Sequence, residues 1–218
     1  MADFVLPVRL FVSEWPAARA AWNNADPGLY AVTPDQPVER MMEQTPTAFG
    51  ALVRTILHQQ ISIFAGRAIT GRLVDACHGV LEPEPVLDLS VSELRQIGLS
   101  ERKARYVTAL AEAARDGLLY GLDALSDDAV IEQLVALPGI GVWTAKMFCL
   151  FHLARPDVFS GADFGLREGV RILDGSIEPP TPSAAEARAE IWQPYRSVAS
   201  VVLWDLVRRT RLEAQNGR

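Results

Sequence analysis

Cysteine is nearly absent: Cys77 and Cys149 are the two in 218 residues. Two thiols build neither a disulfide framework nor the four-thiolate cage of an iron–sulfur cluster, and such sparse usage suits reduced thiols in a cytosol. Histidine is as scarce. His58, His78 and His152 stand at no metal-ligand spacing, which leaves a catalytic zinc without ligands. Long apolar runs are missing too: the longest, such as Met147–Phe151, fall far short of the roughly 20 residues that cross a bilayer. Asp3, Pro7, Arg9 and Glu14 interrupt residues 1–15, unlike a secretory signal, so a cytoplasmic protein with no membrane partner is expected. Period-two alternation is rare, and no internal repeat or low-complexity tract is found.

What is present argues for a folded chain. Hydrophobic residues make up 49%, enough for one sizeable core or two small lobes. The net charge of −6 speaks at first against a polyanion, since Lys and Arg usually supply phosphate contacts. Its distribution tempers that. Residues 191–218 carry Arg196, Arg208, Arg209, Arg211 and Arg218 against Asp205 and Glu213. Residues 95–115 carry Arg95, Arg102, Lys103, Arg105 and Arg115 against Glu101 and Glu112. Local basic patches keep nucleic acid possible.

Apolar residues recur at three- and four-residue spacing, as in Leu52, Ile56 and Leu57, and this predicts a mostly helical chain. Ser90 with Glu93 and Ser183 with Glu186 have capping-box spacing, and Ser100 opens another helix. The predicted helices cover 14–23, 35–44, 47–59, 62–77, 91–96, 101–116, 127–136, 142–153, 164–173, 183–191 and 195–211. Only Phe4–Val12 passes for a strand, and Pro7 confines it to an edge.

The most informative segment runs Leu134-Val135-Ala136-Leu137-Pro138-Gly139-Ile140-Gly141-Val142-Trp143-Thr144-Ala145-Lys146. One helix ends near Ala136, a turn with Pro138, Gly139 and Gly141 follows, and an apolar helix starts at once. The unpaired amides at that start, backed by the helix dipole, can hold a phosphate without reading bases. The same pattern also suits a plain tight helix–helix turn. Farther on, Asp163 stands between a Ser160-Gly161-Ala162 turn and a helix from Phe164, where the dipole favours a carboxylate. A simple N-cap would look identical.

Together these segments resemble the helix-hairpin-helix DNA glycosylase superfamily, and most of all its 3-methyladenine DNA glycosylase II branch. The hairpin carries the form L-P-G-I-G-V-W-T-A, followed after its second helix by Pro156-Asp157-Val158-Phe159 and then Asp163. Ile56-Leu57-His58-Gln59-Gln60-Ile61-Ser62, Gly98-Leu99-Ser100-Glu101-Arg102-Lys103-Ala104, and Trp192-Gln193-Pro194-Tyr195-Arg196-Ser197 with Trp204 resemble further elements of that branch. The likeness covers roughly residues 46–208.

The resemblance implies an all-α, two-lobe fold, one lobe over 48–155 and the other built from 1–47 and 156–218. The active site would lie in the cleft between lobes, with Asp163 and Trp143 facing each other across it. Only about 45 residues precede the shared region, so an N-terminal β domain is not expected. The implied activity is hydrolysis of the bond joining a damaged base to deoxyribose, after the nucleotide is flipped out of double-stranded DNA. Asp163 matches the catalytic aspartate, stabilising the positive charge that develops on the sugar. Trp143 stands where relatives that also nick the strand have a Schiff-base lysine, which implies a monofunctional enzyme. Trp143, Trp204 and Phe164 match pocket aromatics, and a cationic base over indole gains about 0.5–2 kcal/mol. Met147, a pocket residue by the same correspondence, replaces a tyrosine of some members, which implies a looser stacking cage.

Gln60 matches the residue that fills the gap left by a flipped base. With Gln59, Gly139, Gly141 and Thr144 it forms the implied DNA contact set; Arg196, Thr144 and Lys103 are phosphate or structural candidates, and Lys146 is a surface or phosphate contact. A structural sodium or potassium ion on the carbonyls of Val135, Leu137 and Ile140 is implied, with no other cofactor and a monomeric state. The preferred expectation is a base excision repair glycosylase for alkylated purines of the 3-methyladenine and 7-methylguanine type. Its alternatives are a glycosylase for deaminated or oxidised bases and a noncatalytic helix-hairpin-helix DNA-binding module.

Overall fold

The computed structural model describes residues 5–43 and 47–216. They are overwhelmingly helical and separate into two compact units, one of residues 43 and 47–148 with residue 5, the other of 6–42 with 149–216. No helix among the described residues is long and apolar enough to cross a membrane.

The first unit holds α3 (Ala48–His58), α4 (Ile63–Ala76), α5 (Pro83–Leu87), α6 (Val91–Ile97), α7 (Glu101–Arg115), α8 (Asp127–Val135) and the start of α9 (Val142–Phe151). Side-chain oxygens cap most of these at the N-terminus: Thr47, Ser62, Ser90, Ser100 and Ser126 each accept an amide hydrogen bond from the first turn. The Ser90–Glu93 capping box forms as the spacing predicts. Leu52, Ile56, Leu73, Leu94, Leu110 and Leu134 face a common core and are fully buried, each contributing about 1.5–3 kcal/mol. Cys77 lies in the same interior, where burial pushes its thiol up to about 11; a group so reluctant to ionise is no nucleophile.

The second unit is built on α1 (Trp15–Ala25), α2 (Pro27–Val32), α10 (Phe164–Leu173), α11 (Pro182–Ala189) and α12 (Arg196–Asn216), with all but the end residues Val5 and Glu43 of β1 (Val5–Arg9) and β2 (Glu39–Glu43), which pair in a two-stranded ribbon. Residues 197–203 of α12 are buried without interruption, which marks a helix surrounded on every side. Asp26 joins several elements. Its carboxylate caps α2 through Leu29 N (3.0 Å), accepts Trp192 Nε1 (2.8 Å), and pairs with Arg188 Nη2 (2.6 Å). Burial alone would raise its pKa, but the bonds from Trp192, Leu29 and Arg188 together hold it below the ordinary 3.8. Its stabilisation is therefore present above that ordinary value and disappears as pH falls through the lowered one. Asp26→Ala is expected to cost about 3 kcal/mol at pH 7 in thermal denaturation, and the gap to the parent protein should narrow as the pH falls below that ordinary value.

Three sequence expectations need correction. The helix predicted over 35–44 is absent: Glu39–Glu43 is strand β2, because Pro37 removes an amide and forces its predecessor out of the helical region. Gln44 lies outside the described residues. Short helices α2 and α5, each entered through a proline, fell below the length at which periodicity is visible. Ser183 and Glu186 form no capping box. Thr181 caps α11 instead, with Pro182 in the first turn, and Glu186 Oε1 accepts the Gly161 amide at 2.9 Å.

Candidate active site and nucleic-acid interface

In the second unit, Asp163 is the N-cap of α10, as its position before Phe164 predicts. Its Oδ1 accepts the Leu166 amide at 2.8 Å and the Trp204 indole N–H at 3.1 Å. Two donors on one oxygen fix the orientation of the carboxylate. The turn leading into it is fixed by the Glu186–Gly161 bond and by Ser197, whose hydroxyl donates to Arg155 O (2.6 Å) and accepts Val158 N (2.9 Å). Trp204 is held in turn by Phe151, with ring centroids 5.6 Å apart and planes 19° from parallel. Phe164 is 58% exposed, with the Arg167 guanidinium 5.5 Å from its ring centre.

Two members of this cluster were not singled out from the sequence. Phe151 is the stacking partner of Trp204. Gly165 is the reason the indole reaches the carboxylate: a Cβ there would stand 3.0 Å from Trp204 Cδ1 and 3.1 Å from Asp163 Oδ1. A glycine in the first turn of a helix costs propensity, and that was the available signal. Beside Trp204 and Gly165 an open cavity of about 630 Å³ runs along α12 to Val38, lined also by Val201, Asp205 and Arg208. Asp163 does not line it. Arg196 is engaged with Asp157, Nε to Oδ1 at 2.8 Å and Nη2 to Oδ2 at 3.1 Å, and so fixes the start of α12.

The hairpin of the first unit consists of α8, a five-residue link from Ala136 to Ile140 with Gly141 at the entry to α9, and α9 itself. Gly139 makes the sharp turn, at φ +85, and its Cα lies against the Tyr106 ring with no space for a Cβ. Gly141 is not left-handed, and a Cβ on it would meet nothing within 4 Å; it faces open space in front of the α9 amides. Trp143 is 39% exposed on the first turn of α9, whereas Thr144 and Met147 are buried at 4% and 6%. A DNA contact at Thr144 therefore falls to its main chain. Leu137 O accepts the Ile140 amide at 3.2 Å. The neutral carbonyls of Val135, Leu137 and Ile140, at the negative end of α8, suit a monovalent cation by donor chemistry.

The loop between α3 and α4 meets the hairpin directly. Gln59 Nε2 donates to Gly139 O at 3.0 Å, so its amide braces the hairpin. Gln60 is exposed, with φ +58. Lys103 Nζ donates to Leu57 O at 2.6 Å and Gln59 O at 2.8 Å. Burial, and then the Arg102 charge, hold its pKa below the usual lysine value. Among the described residues no group of three His, Cys, Asp or Glu is placed to hold a metal ion.

This arrangement has a counterpart among known proteins. The family model for HhH-GPD superfamily base excision DNA repair proteins matches residues 53–194. The chain belongs to this HhH-GPD superfamily. The HhH-GPD match takes in Gln59, the hairpin and Asp163, while Trp204 lies beyond it. A Bacillus subtilis relative named a putative DNA-3-methyladenine glycosylase is 28% identical over 72% of the chain, which spans 58% of that relative's length. A solved Bacillus halodurans DNA-3-methyladenine glycosidase is 34% identical, with a TM-score of 0.79 over 91% of this chain and 92% of that one. A Schizosaccharomyces pombe 3-methyladenine DNA glycosylase in complex with abasic DNA is 29% identical, with a TM-score of 0.76 over 86% of this chain and 95% of that one.

Proposed function

We propose that the chain is a monofunctional DNA glycosylase of base excision repair that hydrolyses the N-glycosidic bond of alkylated purines in duplex DNA. The observation that carries this is the Asp163 carboxylate, fixed through one oxygen by the Leu166 amide and the Trp204 indole. As the base departs, positive charge builds on the deoxyribose. A preoriented anion stabilises that charge without reorganising and can orient the attacking water. A cationic alkylated purine leaves as a neutral base, so little proton donation is required and one carboxylate suffices. Trp143 and Trp204 offer indole faces that attract such a cation; Trp143 also occupies the position where a strand-nicking relative would place its amine.

The DNA is gripped through main-chain amides. The first turn of α9 lies behind Gly141, where a Cβ would meet nothing and a phosphate can approach the helix dipole's positive end, and a net charge of −6 then needs few lysines for binding. A monovalent cation held by Val135, Leu137 and Ile140 would add a positive charge beside that phosphate. Gln60 is exposed in the loop between α3 and α4, which supports its filling the stack when a base leaves it.

A panel of lesion duplexes tests the reading. Release of 3-methyladenine and 7-methylguanine without strand cleavage, and without an adduct trapped by borohydride, is expected. Release of uracil or hypoxanthine alone would reassign the substrate to deaminated bases, and binding with no release from any lesion would reduce the chain to a DNA-binding module.

A further inference from the structure

Helix α7 carries two side chains one turn apart that support different loops of the first unit. Tyr106 packs its ring on Gly139 of the hairpin, and Lys103 reaches the end of α3. The two loops are also joined directly by the Gln59 amide on Gly139 O. Between these fixed points stands Gln60, in a left-handed conformation that non-glycine residues avoid unless their surroundings hold it. The Lys103 ammonium anchors the backbone immediately before Gln60. It bonds the carbonyls of Leu57 and Gln59, two of the acceptors left open where α3 ends, at the negative end of its dipole.

We infer that Lys103 is a positioning residue for base extrusion: by fixing the Gln59 carbonyl it holds the tip residue Gln60 at one height relative to the hairpin, so that phosphate grip and stack filling occur together. The inference deepens the glycosylase reading and rests on it. Lys103 touches neither base nor sugar in this role. Its charge is directed inward, to carbonyls, which sets it apart from a surface lysine that contacts phosphate.

The test compares Lys103→Met, Lys103→Arg and Gln59→Leu with the parent protein on one 7-methylguanine oligonucleotide, presented either base-paired or opposite an abasic gap. Extrusion is demanding only when the lesion is paired. Lys103→Met is expected to slow single-turnover release from the paired duplex about ten- to a hundredfold, with release from the gapped duplex within about threefold of the parent. Lys103→Arg should restore part of the loss, and Gln59→Leu should show the same selectivity for paired DNA. Circular dichroism melts check that each variant is folded. Equal loss on both substrates, or none on either, would overturn the inference. A readout independent of chemistry accompanies these: fluorescence of 2-aminopurine beside a tetrahydrofuran site should rise on binding of the parent and not of Lys103→Met. If the parent releases no base, the glycosylase reading fails, and the fluorescence comparison still decides the role of Lys103.

Discussion

Asp163→Asn is expected to lower base release from methylated duplex by about three orders of magnitude or more, with DNA affinity and melting temperature close to those of the parent. The expectation follows from what asparagine keeps. Its side-chain oxygen can accept the Leu166 amide and the Trp204 indole N–H as Asp163 Oδ1 does, and asparagine ranks with aspartate as a helix N-cap. What disappears is the negative charge that the proposed reaction requires. Asp163→Ala separates the two contributions: it should lose the same activity and also about 1 kcal/mol of stability through the lost cap. A variant that loses binding along with release would point to a structural role for Asp163.

Gly139→Ala carries the next largest effect. At φ +85 an alanine pays about 1–2 kcal/mol for the left-handed conformation, and its Cβ overlaps the Tyr106 ring, whose displacement disturbs the bond from Gln59 to the Gly139 carbonyl. A loss of about 2–4 kcal/mol in denaturant unfolding is expected, with DNA affinity at least about tenfold weaker. Adding Tyr106→Leu should recover part of the stability, since the ring overlap is relieved while the backbone strain stays. A Gly139→Ala protein that melts and binds like the parent would show that the turn tolerates a side chain and that the close packing on α7 is unimportant.

Much of the local architecture was legible from single residues. Asp163 before Phe164 announced a cap, and the cap forms; Ser90 with Glu93 announced a capping box, and it forms. Those signals are short-range, decided by chemistry within four residues. The failures are long-range. Ser183 and Glu186 have the same spacing, but Pro182 moves the helix start to Thr181, and the Gly161 amide, 25 positions away, takes Glu186. Lys103, Gln59 and Gly139 gave no sign that they would meet, because hydrogen bonds to carbonyls leave no pattern in side-chain identity. Likewise Phe151 reads as one more apolar residue of α9 until α12 sets Trp204 against it. The sequence therefore pointed to the Asp163 cap more readily than to the residues that hold it.

The central claim is that Asp163 stabilises a cationic sugar, and the affinity for charged and neutral sugar mimics measures it most directly. Two duplexes, identical except for a protonated pyrrolidine or a neutral tetrahydrofuran at the abasic position, are titrated with the parent protein and with Asp163→Asn. The account predicts that the parent binds the pyrrolidine duplex at least about tenfold more tightly and that Asp163→Asn binds both alike. Equal affinities in the parent, or a preference that survives Asp163→Asn, would contradict it.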